Sequence, residues 1–277
     1  MSERVVAIHT EGLTHEYPNG HVLALRGINL DIYQGEIVSI IGQNGSGKTT
    51  LVRHFNGLLR PTKGKVYLFG EDTKDKSVAA MSQRCGYVFQ NPNHQIFCTT
   101  VREELEVAPK YFHFSEEKIK QNVENVIELM GLQNILDIHP MTLDYTTKKV
   151  LTIASVLVFK PEILVLDEPT GGLDEVGRQK LTKVLHLMHD QGHTVIIISH
   201  DMDYVAENST RVVMMAKGQV QDDATPDRIF LDEDKLKFSQ IEPPQITSLD
   251  FALSGRGERA TLSVNEFIAK YAKKGRN

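Results

Sequence analysis

The sequence has only two cysteines, no long apolar run and no excess of basic residues. Cys85 and Cys98 are too few for a secreted disulfide framework and lack metal-ligand spacing, which favours free thiols in a reducing compartment. No run approaches the roughly 18–20 apolar residues that span a bilayer, and the four apolar residues after Arg4 are too few for the core of a signal peptide. We therefore expect any membrane role to be peripheral.

The charge balance also excludes a class of partner. Lysine and arginine total 31 against 36 acidic residues, a formal charge of −5, so binding to a nucleic-acid backbone is not expected. With 277 residues, 40% hydrophobic and 24% charged, the chain has the composition of an ordinary globular protein. That length fits one large domain with appendages, or two domains.

Short strands separated by turns are predicted for the first part of the chain. Residues 5–8, 13–17 and 28–33 have strand-like composition, and Asn19-Gly20 is a hairpin signal. The pattern predicts a small, mostly antiparallel β layer.

A different pattern begins at residues 37–41, which are nearly all apolar, as in a strand buried on both faces. A glycine-rich turn and a helix over about 48–58 follow, and together they make a βα unit. Two further buried-strand patterns, 163–166 and 194–199, are separated by a helical pattern. Strands alternating with helices predict a parallel sheet.

A helical insert and a C-terminal extension complete the predicted organisation. Residues of about 92–160 are more polar and helical, with Ser115 as an N-cap and Gly131 as a helix end. Pro243-Pro244 marks a boundary, so we divide the chain into a domain over 1–235 and an extension over 236–277. The extension is interpreted as a solvated or oligomer-contacting helical segment, and its basic residues are Arg256, Arg259, Lys270, Lys273, Lys274 and Arg276.

The turn after residues 37–41 carries a phosphate-binding motif. Gly42-Gln43-Asn44-Gly45-Ser46-Gly47-Lys48-Thr49 fits G-x-x-x-x-G-K-[ST] and lies between a predicted strand and a predicted helix. Glycines let backbone N–H groups turn toward the phosphates, Lys48 neutralises phosphate charge, and the Thr49 hydroxyl can ligate Mg²⁺. Thr50 follows directly and is included in the predicted nucleotide site.

Two carboxylates follow the apolar run at 163–166. Ligands of open α/β sheets gather at the carboxyl ends of the strands, which places Asp167 to hold Mg²⁺. Glu168 would then lie beside the γ-phosphate, where it can polarise or deprotonate an attacking water.

The order of the motifs resembles the ATP-binding subunits of ABC transporters over about residues 4–235. The motifs are Gly42 to Thr49, Phe89-Gln90-Asn91-Pro92, Asp167-Glu168-Pro169-Thr170, Gly172-Leu173-Asp174 and Ser199-His200-Asp201. The resemblance implies a P-loop NTPase of the α/β class, with a RecA-like parallel-sheet core, an antiparallel β subdomain and a helical subdomain. It also implies ATP and Mg²⁺ as ligands.

The resemblance assigns roles to four residues outside the phosphate loop. Gln90 would be the Q-loop glutamine, which senses Mg²⁺ and the γ-phosphate, and His200 the switch histidine that supports the attacking water. Tyr17, 25 positions before Gly42, stands where the family places a ring that stacks on adenine. Asp174 would be the D-loop aspartate.

The family expects L-S-G-G-Q before the second core strand, and this chain departs from it. At that place stand Leu143, Asp144, Tyr145, Thr146 and Thr147. In the family two ATPase domains dimerise head to tail, and each signature caps the ATP on the partner's phosphate loop. An ionised Asp144 offers no donor, and a unit charge about 4 Å from another costs on the order of 4 kcal/mol at a dielectric of 20. We therefore expect the site capped by this segment to hydrolyse ATP poorly.

The same departure indicates which partners are expected. A homodimer would cap both sites with the replaced segment, so the sequence favours a heterodimer with a second ATPase that has an intact signature. Gln95-Ile96-Phe97 and Glu242-Pro243-Pro244-Gln245-Ile246-Thr247 resemble the ATPases of energy-coupling factor importers, which take up vitamins, cobalt or nickel. The resemblance implies an integral membrane coupling subunit, a substrate-binding membrane subunit and a place at the cytoplasmic face of the membrane. Gln95, Ile96 and Phe97 would line the docking groove.

Three alternatives remain open from the sequence. The chain could serve another class of ABC importer, or be a soluble ABC ATPase of DNA repair or the ribosome. The latter carry a long coiled coil or two ATPase units, whereas this sequence has one phosphate loop and no sustained heptads. The replaced signature also leaves open a nucleotide-binding regulator with little turnover.

Overall fold

The computed structural model describes residues 4–18 and 21–274. The hairpin signal Asn19-Gly20 and the basic residue Arg276 lie outside the described residues, as do the side chains of Lys273 and Lys274. The strands are β1 Val6–Tyr17, β2 Val22–Tyr33, β3 Ile37–Ile41, β4 Lys63–Leu68, β5 Glu71–Asp72, β6 Cys85–Val88, β7 Ile163–Asp167, β8 Thr194–Ile198, β9 Arg211–Ala216 and β10 Gln219–Ala224.

The α-helices begin after β3. They are α1 Lys48–Phe55, α2 Val78–Arg84, α3 Val101–Tyr111, α4 Glu116–Met130, α5 Tyr145–Leu157, α6 Glu175–Asp190, α7 Met202–Asn208, α8 Pro226–Ile229, α9 Glu233–Ser239, α10 Gln245–Ser254 and α11 Val264–Lys274. Short 3-10 helices lie at Pro92–His94, Gln133–Ile135 and Pro140–Thr142. Among the described residues, no helix is both long enough and apolar enough to cross a bilayer.

The predicted antiparallel layer is a four-stranded sheet with the order β2-β1-β4-β5. One expectation was wrong in detail, because residues 5–8 and 13–17 are not separate strands. They belong to the single strand β1, whose pairing with β2 shifts register several times. Bulges let a strand bend without ending, so the polar residues between the two apolar stretches do not interrupt it.

The predicted parallel sheet has six strands in the order β10-β9-β3-β8-β7-β6, parallel except for β10. Every residue of β3, β7 and β8 is buried, as their apolar runs predict. Side chains alternate between two cores because successive residues of a strand point to opposite faces. In β7, Val165 packs toward the antiparallel sheet and α1, whereas Leu164 packs toward the helical insert.

The helical insert is held by its caps and by its apolar faces. The Ser115 hydroxyl accepts from Lys118 N–H at the start of α4, and Gly131 ends that helix with φ 69°, both as predicted. Helices α3 and α4 pack on α5, and the inner residues of all three join the core under β7. Burying each large side chain of this kind contributes about 1.5–3 kcal/mol to the free energy of unfolding.

The C-terminal extension packs on the core sheet. Helix α9 crosses the expected boundary at residue 235, because Leu236 is buried in a third cluster beside β9. Ala260 of the extension is buried in the same cluster, with Phe251 packed against it. The Asp250 side chain is also buried and accepts from Thr261 and Lys270. One face of the extension is therefore fixed to the first domain rather than solvated.

Candidate functional site

The loop between β3 and α1 has a backbone that its glycines require. Gly42, Gly45 and Gly47 have φ of 150°, 79° and 102°, a region that favours glycine. A Cβ on Gly42 would lie 2.2 Å from the Met215 carbonyl oxygen, and one on Gly47 would lie 2.7 Å from the Ala24 carbonyl oxygen. The motif spacing thus corresponds to a loop that only these glycines can form.

Lys48 is the first residue of α1, and its side chain reaches back to this loop. Its Nζ donates to the carbonyls of Gly42, at 2.6 Å, and Gln43, at 3.0 Å. Burial lowers the pKa of Lys48, while the nearby carboxylates of Glu168 and Asp167 oppose that shift. The Ser46 hydroxyl is buried and has no hydrogen-bond partner among the described residues. A Cβ on Gly42 would lie 2.7 Å from the Ser46 Oγ, so this hydroxyl lies behind the loop rather than on the cleft. The buried ammonium of Lys48 and the N–H groups of the glycine loop fit a phosphate group.

A cleft brings most of the predicted site residues together. Its lining at the carboxyl ends of β3, β7 and β8 comprises Asn44, Gly45, Gly47, Lys48, Thr49, Thr50, Gln90, Asp167, Glu168 and Ile198. The Tyr17 hydroxyl lies 3.2 Å from the Thr50 hydroxyl, which sets its ring beside this cleft. The ring of His15 packs edge-on against Tyr17, at 4.6 Å between centroids.

The oxygen donors for a divalent cation lie at the end of β7. Asp167 is buried, and its Oδ1 accepts from the Thr49 hydroxyl at 3.4 Å. Its Oδ2 accepts from the Tyr87 hydroxyl at 2.7 Å. Carboxylate and hydroxyl oxygens are ligands that suit Mg²⁺, so these residues fit the predicted metal.

Glu168 follows Asp167 in a left-handed conformation, with φ 52°. Its Oε2 lies 2.7 Å from His200 Nδ1 and accepts from the His200 backbone N–H at 3.3 Å. Burial raises the pKa of Glu168, and His200 and Lys48 oppose the shift. Within this pair, the side chain of His200 is largely exposed, whereas that of Glu168 is largely buried. A partly desolvated carboxylate oriented by a histidine can accept a proton from water.

The replaced signature forms the start of α5. The Asp144 side chain caps this helix by accepting from the Thr147 N–H at 2.9 Å and the Thr147 hydroxyl at 2.7 Å. These bonds lower the pKa of Asp144, so it stays ionised at neutral pH. The Thr146 hydroxyl donates to the Gly172 carbonyl, and the Tyr145 hydroxyl lies 3.4 Å from the Gln90 carbonyl oxygen. The segment is thus engaged with its own chain.

Asp174 caps α6, where its side chain accepts from Gly177 N–H at 2.7 Å. This contact is local to one chain, and the predicted D-loop role of Asp174 stays a prediction.

The expected docking residues divide into two groups. Gln95 and the exposed Phe97 line an apolar groove between the parallel sheet and α3. Ile96 does not, because its side chain is buried in the core of the insert with Val101 and Leu105. The expectation that Ile96 lines the groove was therefore wrong, since three successive residues in a loop cannot all face one way.

The structure also reveals two contacts that the motifs did not indicate. Tyr87 bonds Asp167, as described above, and the buried Lys149 bonds the carbonyls of Glu168 and Gly171. A lysine directly before the apolar run of α5 is the one sequence signal that pointed to the second contact.

Residues 25–171 match the family model described as ABC transporter, which is more than half of the chain. With the phosphate loop, the paired carboxylates and the two-sheet fold in place, the chain belongs to the ATP-binding subunits of the ABC transporter family. The predicted fold class is confirmed, and the chain is an ATPase of this family, whose members bind ATP.

Its relatives include proteins of the energy-coupling factor group. The energy-coupling factor transporter ATP-binding protein EcfA of Methanocaldococcus jannaschii is 37% identical over 244 residues, which are 87% of each chain. The solved structure of CbiO1 from Clostridium perfringens, described as part of the ABC transporter complex CbiONQ, is 32% identical. It superposes with a TM-score of 0.74 over 90% of this chain and 96% of that one.

A longer relative is also similar to this chain. An ABC transporter ATP-binding protein of Caldanaerobacter subterraneus subsp. tengcongensis is 36% identical over 264 residues. The match covers 95% of this chain but only 46% of that protein, so the chain spans less than half its length. The resemblance to energy-coupling factor ATPases is confirmed by this set of relatives.

Proposed function

We propose that this chain powers a membrane importer of the energy-coupling factor type, which takes up a micronutrient such as a vitamin or a transition-metal ion. It would work at the cytoplasmic face of the membrane as one half of a heterodimer with a second ATPase. An integral membrane coupling subunit and a substrate-binding membrane subunit complete the proposed assembly. The relatives of this group support the importer type.

One observation supports the proposal of a heterodimer. Lys48, Asp167 and Glu168 line one cleft, and His200 lies 2.7 Å from Glu168. The signature segment, in contrast, carries an ionised side chain and two side chains in place of glycines. The chain therefore has an intact site that needs a partner's signature. It offers in return a segment that suits the partner's ATP poorly.

The geometry supports a simple hydrolysis step. The backbone of the glycine loop, including Ser46, and the Lys48 side chain would bind the phosphates, and Tyr17 would stack on adenine. Thr49, Asp167 and Gln90 would hold Mg²⁺, which supplies charge neutralisation when bound. Glu168 accepts a proton from the attacking water while the water oxygen forms a bond to the γ-phosphorus. The bond from that phosphorus to the bridging oxygen breaks, leaving ADP and phosphate, and His200 orients Glu168.

The test is purification of the tagged chain from detergent-solubilised membranes, followed by an ATPase assay of what co-purifies. We expect a second ATPase with an intact L-S-G-G-Q and an integral membrane protein. We also expect the assembly to hydrolyse ATP much faster than the chain alone. Recovery of the chain alone, with rapid hydrolysis that Glu168→Gln abolishes, would contradict the heterodimer.

The ionised Asp144 in the signature segment favours one second candidate, a regulatory subunit that binds nucleotide with little turnover. The two candidate functions can be distinguished by introducing Glu168→Gln into this chain only, within the reconstituted assembly, and measuring the rate of ATP hydrolysis. If this chain is a transport ATPase, the rate of ATP hydrolysis should fall at least tenfold, on the usual scale for loss of a general base. A regulatory subunit requires an unchanged rate.

A further inference from the structure

Lys149 is a buried charge on α5. Its side chain is among the largest fully buried ones, with 1% exposed. Charged groups in such places are normally paired with an opposite charge. Within the described part of the chain, however, Lys149 makes no ion pair with a carboxylate within 4.0 Å. Its Nζ donates instead to two backbone carbonyls, of Glu168 at 2.5 Å and of Gly171 at 2.8 Å.

The first of these acceptors belongs to Glu168, a non-glycine residue whose φ is 52°. A glutamate with positive φ persists only when its surroundings hold it there. The Glu168 N–H donates to the Ile198 carbonyl at 2.9 Å, which fixes it to β8. Its carbonyl is fixed to α5 by Lys149. The two bonds therefore hold the peptide groups on either side of the Glu168 Cα, and with them the direction of its side chain.

The rest of the first turn of α5 contacts the same loop. The Thr146 hydroxyl donates to the Gly172 carbonyl at 2.8 Å. The Tyr145 ring packs on Gly172 so closely that a Cβ there would lie 2.6 Å from a ring carbon. We call the three α5 residues Tyr145, Thr146 and Lys149, together with the loop of residues 168–172, the α5 clasp.

We propose that Lys149 is a positioning residue for ATP hydrolysis: through the α5 clasp it fixes the main chain of Glu168 to the helical insert of the same chain. The proposal rests on the hydrolytic role given to Glu168 above. A shift of α5 then moves the catalytic carboxylate, because the amine connects the two directly. The replaced signature thus has a structural task in its own chain in addition to its place opposite a partner's ATP.

The test compares Lys149→Met, which removes both hydrogen bonds, with Lys149→Gln, whose amide keeps donors but loses the charge. Lys148→Met is the matched control on the neighbouring, less buried residue. In the full reconstituted assembly we expect Lys149→Met to lower kcat on the order of 10–100-fold, the scale of a small misplacement of a catalytic group. The KM for ATP should stay within about threefold, because the phosphate loop is untouched, and Lys149→Gln should recover much of kcat.

Hydrogen exchange on the purified full-length chain supplies a readout independent of turnover. We expect the amides of Glu168 and of residues 170–173 to exchange faster in Lys149→Met than in Lys148→Met. Unchanged exchange, an unchanged kcat, or a Lys149→Gln variant as slow as Lys149→Met would each overturn the proposal. If the wild-type assembly hydrolysed no ATP, the proposed function would fail, while the exchange experiment would still decide whether Lys149 holds Glu168.

Discussion

The Tyr87 hydroxyl donates a 2.7 Å hydrogen bond to Asp167 Oδ2 across the neighbouring strands β6 and β7. Both residues are buried, and the burial of Tyr87 together with the carboxylate of Asp167 raises the pKa of the phenol. Tyr87 therefore stays protonated and always offers its donor. The remaining oxygen, Oδ1, faces the Thr49 hydroxyl. A residue outside the motifs thus sets the rotation of the proposed metal-holding carboxylate.

Tyr87→Phe tests this relationship. It keeps the ring packed against Phe89 and removes only the donor. Partners that orient metal ligands typically contribute 10–100-fold to metal affinity, so we expect the Mg²⁺ concentration for half-maximal ATP hydrolysis to rise about tenfold. Tyr67→Phe on β4 is the control. An unchanged Mg²⁺ requirement would show that Asp167 is oriented without Tyr87.

Asp144→Ser should separate the charge of the signature segment from its capping role. Serine caps a helix about as well as aspartate, so the free energy of unfolding should change by less than about 0.5 kcal/mol. Removing the negative charge should raise ATP hydrolysis by the chain alone on the order of tenfold, below the limit set by about 4 kcal/mol of repulsion. Asp232→Ser, at the equivalent cap of α9, is the control. Equal rates for both variants would argue against a role for this charge opposite ATP.

His54 should make the fold sensitive to mild acid. It is buried beside His15, with Nδ1 2.7 Å from the Thr50 carbonyl oxygen and Nε2 3.1 Å from His15 Nδ1. Burial lowers its pKa from 6.5 to about 4. Between these values the unfolded chain binds the proton and the folded chain does not. The contribution of His54 to stability is therefore complete above about pH 6.5 and is lost as the pH falls toward 4.

Chemical unfolding of wild type and His54→Leu at pH 7 and pH 5 measures this effect. On lowering the pH, wild type should lose about 2 kcal/mol more of its free energy of unfolding than the variant. His186→Gln, at an exposed histidine of α6, should behave as wild type. If wild type and His54→Leu lose equal stability, His54 does not set the acid response.

Phe97→Asp should uncouple the chain from the proposed membrane coupling subunit. Phe97 is 72% exposed, and its N–H is held by Glu104 Oε2 at 3.1 Å, so the ring is presented by a fixed backbone. Loss of an aromatic anchor costs about 2 kcal/mol or more, which corresponds to a roughly thirtyfold weaker association. Nucleotide binding should not change. Leu187→Asp, at a partly exposed residue of α6, is the control and should co-purify with the membrane protein to the same extent as wild type. If both variants recover equal amounts of the membrane protein, the groove is not the docking site.

The parts of the site that could be predicted from sequence depend on local constraints. The phosphate loop needs its glycines where they stand, because Gly42 and Gly47 leave no room for a Cβ. The carboxylates follow a wholly apolar run, so Asp167 and Glu168 had to lie at the end of a buried strand. These features are visible in a few successive residues.

Contacts between elements were not visible in that way. The direction of the Ile96 side chain depends on how its loop packs against α3, and the bond from Tyr87 depends on the register of β6 against β7. That α9 runs across residue 235 was not visible for a similar reason, since the apolar contacts of Leu236 lie on β9 rather than in its own helix. Contacts between side chains of distant segments can be known only from the packed structure.

Lys149 also has a consequence for engineering this enzyme. Burial lowers its pKa to about 8 from 10.5, against the attraction of Glu168 and Asp167. The unfolded chain therefore holds the proton more tightly, and below about pH 8 this penalty is on the order of 3 kcal/mol, relieved as the pH rises toward 10.5. Selection for thermal stability alone would favour an apolar residue at this position. A variant library screened only for heat resistance should thus become enriched in slow enzymes, because the residue that weakens the fold is the one that holds Glu168 in place.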